Sequence, residues 1–67
     1  MAKIQLNGKK IAIKPNFSVL DLIKKFKLER KRIAVEYNGT IIQRHRYNKK
    51  ILKNNDRIEI VHFIGGG

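Results

Sequence analysis

The stretch Arg57-Ile58-Glu59-Ile60-Val61-His62-Phe63-Ile64-Gly65-Gly66-Gly67 decides how the rest of the chain is read. Up to Ile64 it is rich in β-branched residues and alternates in polarity at its start, the pattern of a strand with one face toward a core. Ile58 and Ile60 set the inward face against Arg57 and Glu59, and the same period puts Val61 and Phe63 outward. Exposed apolar side chains there predict a docking patch of Val61 and Phe63, continued by Ile64. Three glycines follow. Without a Cβ they form a thin, mobile end, so the expected division is a folded body at 1–64 and a flexible tail at 65–67. The tail would present the α-carboxylate of Gly67 with no side chain beside it to obstruct attack. Plain fraying of a terminus is the competing reading. The remaining glycines, Gly8 and Gly39, argue against it, because each follows an asparagine between strand-like runs, where turn geometry needs it.

Upstream, Lys3-Ile4-Gln5-Leu6 and Lys10-Ile11-Ala12-Ile13-Lys14 alternate around Asn7-Gly8, a strong signal for a two-residue hairpin turn. Ile4, Leu6, Ile11 and Ile13 would share one face, and Pro15, lacking an N–H, ends the second strand. Ser18 offers a helix N-cap with Asp21 three residues on, and Phe17 and Leu22 form a staple across the cap. Val19, Leu22, Ile23 and Phe26 recur at helical spacing, predicting a helix from about Val19 to Lys27. Ile33 to Tyr37 reads as a third strand, turned at Asn38-Gly39 into Thr40-Ile41-Ile42. Gln43 to Lys50 is polar and irregular, with Tyr47 as its anchor. Ile51-Leu52 returns to the core, and Asn54-Asn55-Asp56 is a turn. The order of hairpin, helix, hairpin and final strand lets the last strand lie parallel to the first in mid-sheet. The predicted fold is α+β: a β-grasp, with one helix packed on a mixed four- to five-stranded sheet.

Composition narrows the chemistry. At 67 residues the chain is one small domain; with no cysteine it has neither disulfides, nor a thiolate metal site, nor a cysteine nucleophile. Two histidines, His45 and His62, cannot close a metal site alone, so no metal is expected. No apolar run approaches the roughly 18 residues of a membrane span, and no signal peptide is evident. The expectation is a soluble cytoplasmic protein. The net charge of +11 makes nucleic acid a candidate partner, although the cations are spread along the whole chain. Catalysis by the chain itself is disfavoured, since no Ser/His/Asp order and no phosphate loop is visible and the acids fall at caps, strands and turns.

The whole chain resembles the ThiS family, ubiquitin-like sulfur carriers of thiamin biosynthesis. Asn38, Ile41-Ile42, Arg44, Tyr47, Ile51-Leu52, Asp56 and Ile58 stand in that family's spacing, which ends in Gly66-Gly67. Departures are Gln43 where proline is common, Tyr47 where tryptophan is frequent, Asn55 where the turn usually has glycine, and the high charge. The resemblance implies that a ThiF-type enzyme uses MgATP to adenylate the carboxylate of Gly67. A sulfur donor protein then yields a thiocarboxylate, which a ThiG-type thiazole synthase consumes. Gly65 and Gly66 would give reach, Val61, Phe63 and Ile64 would dock partners, and the chain would be a carrier that binds no cofactor itself. Two other destinies stay open at this point: a basic β-grasp module holding RNA, like TGS domains, and a MoaD-like carrier or modifier with another acceptor.

Overall fold

Two asparagine-glycine turns fold the sheet. In the computed structural model, which describes residues 1–63, Asn7 (φ 49°) and Gly8 (φ 82°) turn β1 (Ala2–Leu6) into β2 (Lys9–Ile13). Asn38 (φ 49°) and Gly39 (φ 87°) do the same between β3 (Ile33–Tyr37) and β4 (Thr40–Ile42). Two successive positive φ values give the turn the twist of its flanking strands. Such a turn leaves no freedom of register: it pairs Ile4 with Ile11 in the first hairpin and Glu36 with Ile41 in the second.

The last strand, β5 (Arg57–His62), enters between the hairpins. The five-stranded order is β2-β1-β5-β3-β4, with β5 parallel to β1 and antiparallel to β3. This is the expected mixed β-grasp sheet, with five strands. Two contacts carry β5 beyond its neighbours' ladders. Where β1 turns away, the Asn7 side chain takes over, accepting from the Ile60 amide at 2.8 Å and donating to the Ile60 carbonyl at 3.2 Å. Past His62, the Phe63 amide still donates to the Arg32 carbonyl at 2.9 Å. The strand was expected to reach Ile64, which lies outside the described residues, as does the 64/65 boundary between body and tail.

Helix α1 (Val19–Lys25) crosses one face of the sheet. Its start follows the sequence signal: Ser18 Oγ accepts from the Asp21 amide at 3.0 Å, and Asp21 Oδ2 accepts from the Ser18 amide at 2.9 Å. These contacts hold the Asp21 carboxyl below its ordinary value. Its end differs from the expectation of Lys27. Leu28 N–H donates to the Ile23 carbonyl and Lys27 N–H to that of Lys24, with Lys27 left-handed at φ 55°. That is a Schellman stop, normally marked by glycine; here a lysine occupies it. The chain therefore leaves the helix before Phe26 can complete the apolar stripe. Phe26 caps the helix at 43% exposed, and Leu28 packs against the core in its stead.

The core joins Val19, Leu22 and Ile23 of the helix to Ile4, Ile13, Ile33, Val35, Ile58 and Ile60 of the sheet, with Tyr47 and Leu52 closing one side. Tyr47 is the anchor its loop required: its ring is buried and its carbonyl accepts from the Leu20 amide. Of the pair expected to re-enter the core, only Leu52 does so. Ile51 makes a single bridge to Ser18 and stays 38% exposed, because an extended backbone turns consecutive side chains to opposite sides. No helix among the described residues is long and apolar enough to cross a membrane.

Asp56 secures the entry to β5. Its carboxylate accepts from Tyr37 Oη at 2.7 Å, the Lys53 amide at 2.7 Å and Asn38 Nδ2 at 3.2 Å. Burial opposes its ionisation, but these donors and the nearby Lys50 charge prevail, holding the carboxyl below its ordinary value. Burial, with the Asp56 bond and charge, pushes Tyr37 up to about 12. A depressed carboxyl pKa stabilises the fold at pH values above the unfolded pKa, and that contribution is lost as pH falls through the folded value. Asp56→Ala should therefore lower stability at neutral pH by about 2–3 kcal/mol, as expected for bonds to a charged, largely buried acceptor. It should also flatten the loss of stability below about pH 4. Thermal denaturation across pH measures both effects.

Candidate functional site

The two sequence-predicted residues that can be described at the end of β5 are both on the surface. Val61 is 53% and Phe63 57% exposed, while Ile58 and Ile60 between them and the strand's start are buried. The period-two alternation places Val61 on the sheet face away from α1. His62, registered opposite Ile33, is exposed at the end of the ladder. Ile64, Gly65, Gly66 and Gly67, the other predicted site residues, lie outside the described residues.

Register shows what accompanies the pair. Val61 lies opposite Ala34, and the neighbouring outward row runs Ile41, Glu36, Glu59 across β4, β3 and β5. Ile41, at 69%, is more exposed than either predicted docking residue. Phe63, Ala34, Ile41 and Ile42 line a shallow groove of about 260 Å³ bordered by Gln43 and Arg44. The exposed apolar surface is thus wider than the end of β5 and includes the edge strand. Sequence reasoning did not assign Ile41 to it. A signal was present, since the Asn38-Gly39 turn puts Ile41 directly opposite Glu36 and therefore on that strand's outward face.

The outward row also carries an electrostatic oddity. Glu36 and Glu59 are directly paired across β3 and β5, and the only ion pair among the described residues is Arg32 with Glu29, an exposed contact. Arg57 shares their shallow depression without reaching either carboxylate within ion-pair distance. Like charges directly opposite on a sheet oppose folding, by about 0.2–1 kcal/mol.

A second groove, of about 350 Å³, lies across the edge strand and carries Arg46, Lys49 and Lys50 beside Tyr37 and Ile42. It is the best foothold for the RNA-binding alternative. However, the Lys50 ammonium sits 4.2 Å from the centroid of the Tyr37 ring, so that face of the ring is already covered and unavailable to a base. His45 is an exposed loop residue, and the described residues hold no group of three or more ligating side chains that could bind a metal ion.

The comparisons fit this architecture. The ThiS family model matches residues 4–67. The sulfur carrier protein ThiS of Bacillus subtilis (strain 168) is 45% identical over 65 residues, covering 96% of this chain and 98% of that protein. The chain belongs to the ThiS family. It is accordingly a sulfur carrier of thiamin biosynthesis and not itself an enzyme. The crystal structure of ThiS from Geobacter metallireducens superposes with a TM-score of 0.83 at 26% identity, covering 97% of this chain and 99% of that one. A thiazole synthase from Magnetococcus marinus is 35% identical over 65 residues, covering 97% of this chain but only 20% of that enzyme.

The exposure of the patch makes it separable from folding. Phe63→Asp should shift the unfolding free energy by no more than about 0.5 kcal/mol, the usual range for an exposed site. Ile60→Ala, at a buried position, should cost about 2–4 kcal/mol. Denaturant titration of the two variants distinguishes these outcomes.

Proposed function

We propose that the group carried is the α-carboxylate of Gly67, activated as an acyl-adenylate and converted to a thiocarboxylate in the cytoplasm. A carboxylate is a poor electrophile. Its oxygen attacks the α-phosphorus of MgATP held by a ThiF-type adenylating enzyme, and pyrophosphate leaves. Hydrosulfide supplied by a donor protein then attacks the acyl carbon, and AMP leaves as the C–S bond forms. Because the chain has no cysteine, that sulfur comes from outside it. Gly65 and Gly66 add length without side chains, suited to a narrow enzyme channel. Val61, Phe63 and Ile64 hold the body against the partner while the tail is threaded.

One observation carries the reading: the central strand leads through exposed Val61 and Phe63 directly into a sequence of three glycines, in a chain whose family match extends to residue 67. Thiazole synthase is proposed as the consumer of the thiocarboxylate. The Magnetococcus marinus enzyme supports this, because a segment like the present chain makes up about a fifth of its length. Carrier and synthase within one polypeptide are what a shared reaction would favour.

Intact-mass analysis after incubation with MgATP, a ThiF-type enzyme and a sulfur source should show one oxygen of the chain replaced by sulfur. No mass change would remove the reading. Deleting Gly66 and Gly67 should leave the melting transition unchanged and abolish adenylation, read by ATP–pyrophosphate exchange. Loss of folding in that variant would refute the division between body and tail.

A further inference from the structure

We propose that Asn7 and Asn38 are deamidation sites that β5 keeps shut while it is docked, and that reaction at either one releases the strand irreversibly. The inference goes beyond the carrier reading, and its failure leaves that reading untouched.

Only these two of the six asparagines precede glycine; Asn16, Asn48, Asn54 and Asn55 precede Phe17, Lys49, Asn55 and Asp56. A glycine nitrogen has no side chain beside it to block attack. Both turns are exposed, with open space where a Cβ would stand on Gly8 and Gly39. The step needs only water. The deprotonated Gly8 nitrogen attacks Cγ of Asn7, the new N–C bond closes a succinimide, and Nδ2 leaves as ammonia. Water then opens the ring. Cleavage at Cγ restores the chain with aspartate, whereas cleavage at the backbone carbonyl carbon leaves isoaspartate, with the chain running through Cγ. No electrons are transferred. The same step at Asn38 uses the Gly39 nitrogen.

In the folded chain both side chains are occupied. Asn7 spans the amide and carbonyl of Ile60, and Asn38 accepts from the Arg57 amide at 2.7 Å and donates to Asp56 Oδ1 at 3.2 Å. Swinging Cγ onto the glycine nitrogen breaks both bonds of either asparagine, so ring closure waits for β5 to open. The product cannot restore them. At position 7 an oxygen replaces Nδ2 and faces the Ile60 carbonyl, acceptor against acceptor. At position 38 the new carboxylate faces that of Asp56. Isoaspartate adds a backbone atom to a two-residue turn that sets the hairpin register. Surrounding cations attract each new carboxylate, but exposed attraction of that kind is weak. Losing a donor opposite a part-buried acceptor costs more.

The test follows the whole chain at mildly alkaline pH by peptide mapping, folded and in urea. In urea, Asn7 and Asn38 should deamidate at least about tenfold faster than in the folded chain, and ahead of the other four asparagines. Ile60→Val, which loosens β5 mildly, should speed both sites about threefold without urea. Asn7→Asp, which reproduces one product, should melt about 5 °C lower, and its Ile60 amide should exchange with deuterium about tenfold faster. Equal rates in the folded and unfolded chain, unchanged rates in Ile60→Val, or reaction as fast at Asn54 would each overturn the proposal. So would an Asn7→Asp variant that melts like the wild type. If that variant does not fold at all, the wild-type rates decide alone.

Discussion

Strand β5 is held on both edges, and the rest of the structure depends on that constraint. It pairs with β1 near the N-terminus and with β3 from mid-chain, so it docks only once both hairpins are present. Asn7 and Ile60, bonded to each other, are 53 residues apart. Closing such separations costs chain entropy, and local elements must offset it by arriving with their register already set. The two asparagine-glycine turns do that. Their asparagines then serve twice, because Asn7 bonds Ile60 and Asn38 Oδ1 accepts from the Arg57 amide at 2.7 Å. The residues that make the turns also receive the strand.

The same arrangement separates stability from recognition. The side chains that fix β5 lie at its start or on its inward side: the Asp56 cluster, Ile58, Ile60 and the helix above them, while its far end is held by backbone bonds to β3 and to Arg32. The outward side and the far end are left to Val61, Glu59 and Phe63, which the core does not use. A carrier needs this separation, because its end must serve other proteins without loosening the body that is recognised. Placing the exit strand at the centre of the sheet makes its anchorage independent of what happens beyond residue 63.

Much of this was legible from local chemistry. The hairpins, the capped helix start at Ser18, the inward Ile58 and Ile60 and the exposed Val61 and Phe63 follow from turn residues and period-two or helical spacing. Where the reading departed from the structure, the deciding partner was distant or the signal unusual. Lys27 stops the helix from a left-handed position that glycine normally marks, so the stripe was carried one residue too far, to Phe26. Ile51 is as hydrophobic as a core residue, but its side of the extended chain is set only by the fold, which turns it outward. Asp56 carries only a turn signal in the sequence, and its bonds to Tyr37 and Asn38 form only after β3 and β5 come together.

The sequence alone determined the element order, the hairpin registers and the alternation that turns Val61 and Phe63 outward, because each depends on residues a few positions apart. Only the tertiary structure decided that Ile41 joins their surface, that Glu36 meets Glu59, and that one buried carboxylate ties the second hairpin to the last strand. Those contacts depend on which strands become neighbours, and that is set by packing the helix and both hairpins around one core rather than by any local run of residues.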